Sequence, residues 1–264
     1  YHDKFAKNKN ASLEPVDKDV LTHLEHFYNY TSQVYRLNGL DMVLRMEYRG
    51  IVNNTKTDQP EILIQEVYDA TKGEYKRMKE YQKFEGFDHL TFMIYNYPRG
   101  SSTTCGVAST WTPHAIKTAS QYDQFISTMA VNRSCNTGWT FAHELGHSMG
   151  LNHGPPVGPY EDDSMGFFRY AYGICEVGQF ASIMSYTMNC RGSKQSQYYS
   201  NPEEYCTPGY KCGDKDRHDA RRALREVRED FSNIRKRKNP PGGSNKGLLQ
   251  QQLQDMQKQL QQID

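Results

Sequence analysis

The sequence predicts an α/β fold: a lobe in which helices and strands alternate, then an irregular cysteine-bearing segment and a closing helix. Three observations predict it. Apolar residues at helical spacing flank β-rich runs over the first 111 residues. All six cysteines, at 105, 135, 175, 190, 206 and 212, fall after that first alternation has begun to close. A stretch rich in Gly, Pro and Tyr then runs to about Asp214 without helical or strand periodicity.

The elements follow in order. Val20, Leu21, Leu24, Phe27, Tyr28, Thr31 and Val34 keep helical spacing, which predicts a first helix over 17–36, stopped by Asn38-Gly39. Met42, Leu44, Met46 and Tyr48 alternate with Val43, Arg45 and Glu47, the pattern of a strand with one wetter face. A long helix is expected from Glu61 to Phe84, with Ile62, Val67, Ala70, Tyr75 and Met78 on its apolar side and Gly86 at its end. Leu90 to Tyr97 reads as a strand closed by Pro98-Arg99-Gly100, and Cys105 to Trp111 as another. Helices are expected over Thr137–Gly150 and over 215–234, the second carrying Ala220, Ala223, Leu224, Val227 and Phe231 on one face. One domain therefore spans 1–238. Residues 239–247 read as a flexible linker. In the tail, 248–264, Leu249, Leu253, Met256, Leu260 and Ile263 are spaced by four and three in a Gln-rich amphipathic helix. Such a helix is either solvated, packed in cis, or a short seam for helical association.

Composition narrows the function. A net charge of +1 provides no field for nucleic acid or an anionic membrane, and neither is expected as a partner. No apolar run is long enough to span a bilayer. The chain opens on Tyr1 rather than Met and shows no signal peptide, as expected of a mature or trimmed form. An even number of cysteines with no CxxC pair points to three disulfides, hence to an oxidising, extracellular location. Asn-x-Ser/Thr sequons at Asn10, Asn29, Asn53 and Asn132 agree with that location.

The chemistry is concentrated in HELGHSMGLNHG, His143 to Gly154. Positions i and i+4 share a helix face, so His143 and His147 can point at one ion. Glu144 sits beside that ion without having to bind it. Gly150 can take the left-handed backbone that ends a helix and turns the chain, bringing His153 round as a third ligand. Three neutral imidazoles favour Zn²⁺ and leave a coordination position open for water, as in a catalytic site. Glu161, Asp162 and Asp163 form an acidic loop that could bind Ca²⁺, although such loops are usually just solvated.

The HExxHxxGxxH pattern, followed by a methionine within Ser182-Ile183-Met184-Ser185-Tyr186, resembles the metzincin metallopeptidases. Within them the chain is most similar to the reprolysin/adamalysin group and its peptidyl-Asp-metallopeptidase-like relatives. DHLTFMIY, STTCGVAS, SCNTGWTFAHELGHSMG, MNC and YYSNPEEY carry that resemblance over roughly 17–235. The chain departs from the pattern at Gly154, where reprolysins usually have Asp, and in lacking a convincing strand before the first helix.

The resemblance implies a metzincin fold: a mixed twisted sheet, an active-site helix and an irregular, disulfide-bonded C-terminal subdomain. It implies a secreted zinc endopeptidase in which Glu144 takes a proton from a zinc-activated water and delivers it to the leaving amine. Met184 would form the turn beneath the three histidines. Tyr186 would be either a packed aromatic or a donor to developing negative charge, as in astacin- and serralysin-like relatives. Gly106, Val107, Ala108 and Ser109 resemble the edge strand that pairs with an extended protein or peptide substrate. Arg191, just past the methionine turn, would favour an acidic substrate residue if it faces the pocket; otherwise Thr187 and Met188 would line an apolar one. Proximity and resemblance together imply the pairs Cys105–Cys135, Cys175–Cys190 and Cys206–Cys212. The alternative from another class is a binding module or toxin component on the same scaffold with little proteolytic activity; the intact Glu144 argues against it.

Overall fold

A computed structural model of the chain describes residues 18–45, 57, 59–95, 104–110, 125–131, 135, 137–154, 166–187 and 190–232. The acidic loop at 161–163, the linker at 239–247, the tail at 248–264 and the outer half of the expected strand at 42–48 lie outside them.

The described elements are α1 (Lys18–Leu37), α2 (Pro60–Asp69), α3 (Gly73–Glu85), β1 (Leu90–Tyr95), β2 (Gly106–Ala108), β3 (Ile126–Val131) and α4 (Thr137–Ser148). They continue as β4 (Cys175–Glu176), β5 (Phe180–Ala181), β6 (Lys194–Gln195), β7 (Asn201–Thr207), β8 (Tyr210–Cys212) and α5 (Ala220–Ser232). The main sheet has the order β1-β3-β2. β1 and β3 run parallel, with Leu90 opposite Ile126, and β2 runs antiparallel to β3, with Gly106 opposite Met129. The sheet is therefore mixed, with β2 at its end among the described residues.

Both faces of this sheet are covered, as a mixed α/β sheet requires. On β1, Phe92 and Ile94 pack with Leu63, Ile64 and Val67 of α2, whereas Met93 faces the larger cluster. That cluster joins Phe27, Val34 and Tyr35 of α1 to Phe141, Ala142 and Leu145 of α4, and to Ala223, Leu224, Val227 and Phe231 of α5. Phe27 stacks on Phe141 with ring centroids 5.8 Å apart. Helix α4 is thus packed against two helices whose apolar stripes the sequence displays.

Five expectations change, the first being that the stretch read as irregular up to Asp214 carries the short strands β4 to β8 in two small sheets. The helix expected over 61–84 is two helices: α2 ends as Ala70 turns extended, and α3 starts at Gly73, whose φ of 78° interrupts any continuous helix. Residues 41–45 are not strand. Their burial alternates as predicted, Met42 and Leu44 packing on the core while Val43 is exposed, but no ladder partner lies alongside among the described residues. Strand β3 is an element the periodicity does not reveal. Finally, α5 starts at Ala220 rather than 215, because the Asp219 carboxylate accepts the Arg222 N–H at 3.1 Å as an N-cap.

The three disulfides are Cys105–Cys135, Cys175–Cys190 and Cys206–Cys212. The first, with Cα atoms 5.5 Å apart, ties the start of β2 to the approach to α4.

Candidate metal centre

Helix α4 carries His143, Glu144 and His147 on its last two turns, and its end is built to deliver a third histidine. Gly150 adopts φ 88°. Its N–H donates to the His147 carbonyl at 2.8 Å, and the Leu151 N–H donates to the Gly146 carbonyl at 3.0 Å. This pair of bonds is the Schellman closure, which needs the left-handed residue that glycine supplies without strain. The chain reverses there, and His153 returns to face the helix.

The three Nε2 atoms converge: His143 to His147 3.1 Å, His143 to His153 2.9 Å, His147 to His153 2.9 Å. The tautomers of the first two follow from their outer nitrogens. His143 Nδ1–H donates to the Ile183 carbonyl at 2.6 Å, and His147 Nδ1–H donates to the Leu151 carbonyl at 2.9 Å. Each neutral ring has one N–H, so both Nε2 atoms present lone pairs. Two lone pairs aimed at one another at 3.1 Å repel unless a cation lies between them. The carbonyl partners are also the arrangement that orients metal-bound imidazoles. The residues therefore fit a zinc-type cation with an open position, and they form the one group of three or more potential ligands found among the described residues.

Burial sets the protonation. It lowers His143 well below its ordinary 6.5, with the neighbouring imidazoles adding to the effect. It brings His147 down to about 4 and His153 to about 3, the latter with help from His147. All three rings are neutral at pH 7 and ready to bind metal. Glu144 is 4% exposed, and burial raises its carboxyl to about 8. Its Oε2 has no hydrogen-bond partner among the described residues, which makes it a candidate functional carboxylate.

The surroundings complete the site. Met184 is fully buried, with its sulfur against Gly146 between the two helix-borne histidines. The Tyr186 ring lies 4.3 Å from that of His153 and 5.6 Å from that of His143. Its phenol is pushed up to about 12 by burial and then by the Glu144 charge. Gly106 lies directly over Glu144. Val107 packs on the α2 side of the sheet, and Ser109 continues the pairing, its N–H donating to the Ile126 carbonyl at 3.0 Å.

Not every candidate converges on the histidines. Arg191 is exposed, and its carbonyl accepts the Gly178 N–H at 3.0 Å in the β4–β5 hairpin region. Three participants escaped the sequence reading. The Ile183 and Leu151 carbonyls leave no sequence signal. Trp139, whose ring lies 4.7 Å from that of His143, does leave one, since it precedes His143 by four on the same helix face.

His143, Glu144 and His147 on the last turns of α4, with His153 returned to them beyond Gly150, match in space the residues that the HExxHxxGxxH pattern of the metzincin metallopeptidases brings to one ion. Residues 21–154, about half of the chain, match the reprolysin-like family, metallo-peptidase family M12B, and the chain belongs to that family. Among curated proteins it is similar to a peptidyl-Asp metalloendopeptidase of Pseudomonas aeruginosa, 24% identical over 263 aligned residues. The match takes in 92% of this chain but 40% of that relative, so the chain spans about two fifths of its length. A chain in a solved structure described as "Structure of a chaperone-substrate complex" superposes with a TM-score of 0.59 at 16% identity, over 83% of this chain and 32% of that one. That likeness is one of fold.

Proposed function

We propose that this chain carries the catalytic domain, within 1–238, of an exported zinc endopeptidase of the metzincin type. The observation that carries the reading is the mutual approach of the Nε2 atoms of His143, His147 and His153, with the outer nitrogens of the first two committed to carbonyls. Zinc held there supplies a Lewis acid that acidifies a water and polarises a substrate carbonyl.

The protein's own residues do the rest. Glu144 takes a proton from the attacking water on its carboxylate and passes it to the nitrogen of the departing amine. Burial alone raises its carboxyl to about 8, and a cation held on the three imidazoles would favour the ionised form that accepts the proton. The Tyr186 phenol keeps its proton at neutral pH and donates it as a hydrogen bond to the oxyanion. Strand β2, at the end of the sheet order and against Glu144, offers its outer edge to an extended peptide. Three disulfides among the described residues support an oxidising compartment. No described helix is long and apolar enough to cross a membrane.

The test is digestion of casein or a quenched peptide by the purified chain with and without a zinc chelator. Cleavage that stops on chelation and returns with added zinc supports the proposal; a zinc-loaded protein that cuts neither substrate supports the binding-module alternative.

A further inference from the structure

His153 is the one ligand not carried by α4, so something other than helix geometry must fix its place. Segment 171–174 passes between its turn and the methionine turn. On one side, the Asn152 N–H donates to the Ala171 carbonyl at 2.9 Å and the Gly173 N–H returns to the Asn152 carbonyl at 3.0 Å. On the other, the Ser182 N–H donates to the Ile174 carbonyl at 2.9 Å and the Ile174 N–H to Ser182 Oγ at 2.9 Å. Two glycines set how closely these three stretches approach. A Cβ on Gly154 would overlap the Gly173 carbonyl oxygen and stand 2.8 Å from its carbon. A Cβ on Gly173 would overlap the Met184 carbonyl oxygen and stand 2.5 Å from its carbon and 2.6 Å from Ser185 Oγ. The opposing atoms are mostly backbone, which cannot swing aside as a side chain can.

The neighbour of Met184, Ile183, supplies the carbonyl that orients His143. The same stack therefore spaces the third ligand from the acceptor that aims the first. We propose that Gly154 and Gly173 are a pair of positioning residues that seat His153 against the methionine turn. In this chain, close backbone contact at 154 stands where reprolysins usually place an Asp. The inference rests on the zinc-site reading above.

The test uses Gly154→Ala and Gly173→Ala in the full chain. It measures zinc affinity by competition with a chromophoric chelator, the visible absorption of the Co²⁺-substituted protein, and melting of the metal-free form. Each variant is expected to bind zinc about tenfold or more weakly, a loss typical of outer-shell changes, with an altered Co²⁺ spectrum while far-ultraviolet circular dichroism is retained. Parental zinc affinity and an unchanged Co²⁺ spectrum in both would overturn the pairing. Should a variant fail to fold, hydrogen exchange on the parent decides: zinc removal is expected to speed exchange at Asn152 and Gly173 relative to α5, and equal exchange with and without zinc overturns the proposal. A parent that binds no zinc overturns the zinc-site reading itself, which separates the two failures.

Discussion

The Glu144 carboxylate lies against the backbone of Gly106, so that a methyl group at 106 would stand 2.5 Å from Oε1 and 2.8 Å from Cδ and Cγ. The strand proposed to meet substrate and the proposed base thus share a contact that a side chain at 106 would disturb.

Gly106→Ala must therefore push Glu144 away from its position without touching any of the three histidines. Misplacement of a reacting group by about 1 Å typically costs about 10²-fold in rate. Peptide turnover by Gly106→Ala is expected to fall on that order with zinc content unchanged, as read by steady-state kinetics and metal analysis. Parental turnover would show that the carboxylate has room elsewhere or is not the base.

Tyr186 sits half-exposed beside His153, with its phenol protonated throughout the neutral range. If it donates to the oxyanion, Tyr186→Phe removes that bond and leaves the ring packing in place. The expected loss is about 10²-fold in kcat with a small change in KM. A variant with parental kcat would reduce Tyr186 to a packed aromatic.

The chemistry was legible in the sequence because its rules are local. The i, i+4 pairing of His143 and His147 and the left-handed closure at Gly150 depend on residues within one turn. The α1 and α5 stripes are equally local. The break between α2 and α3 escaped because Ile62, Val67, Ala70, Tyr75 and Met78 keep helical spacing across it, and one glycine at 73 was the signal. Strand β3 escaped because its polar residues are inside. Thr128 Oγ1 donates to the Pro60 carbonyl at 2.7 Å, and Ser127 Oγ lies 3.1 Å from Thr91 Oγ1. A strand buried on both faces has no wet side to alternate with. The roles of Gly106, Gly154 and Gly173 depend on groups approaching from 11 or more residues away, which spacing along one chain does not encode.

Acid sensitivity follows from His89. Its Nε2 lies 2.8 Å from Ser148 Oγ at the end of α4, and its Nδ1 3.2 Å from Thr91 Oγ1. Burial lowers the ring from 6.5 to about 3. The folded protein keeps it neutral while the unfolded chain takes a proton below 6.5, so unfolding gains a proton and stability falls as pH drops from 6.5 towards 3. The slope is at most about 1.4 kcal/mol per pH unit for this group. In metal-free protein, His143, His147 and His153 act in the same direction, so the comparison is with His89→Gln. Urea melts between pH 7 and 4 are expected to show a shallower decline in the variant; equal slopes would remove His89 from the account.

Arg191 bears on specificity. It is exposed and lies off the histidine cluster, so cleavage-site sequencing on a peptide library is expected to show apolar enrichment after the cut that Arg191→Ala leaves alone. Enrichment of Asp or Glu that the substitution removes would show instead that Arg191 receives a substrate carboxylate.

If one zinc ion on His143, His147 and His153 works with Glu144 as its base, Glu144→Gln separates metal binding from cleavage. The substitution keeps size and removes the charge of a side chain that lies next to the ligands without being one of them. Metal analysis and peptide cleavage on the same preparation give the answer. One zinc per chain is expected in both proteins, with cleavage in the parent alone. Near-parental cleavage by Glu144→Gln, or a parent that cleaves without zinc, would contradict it.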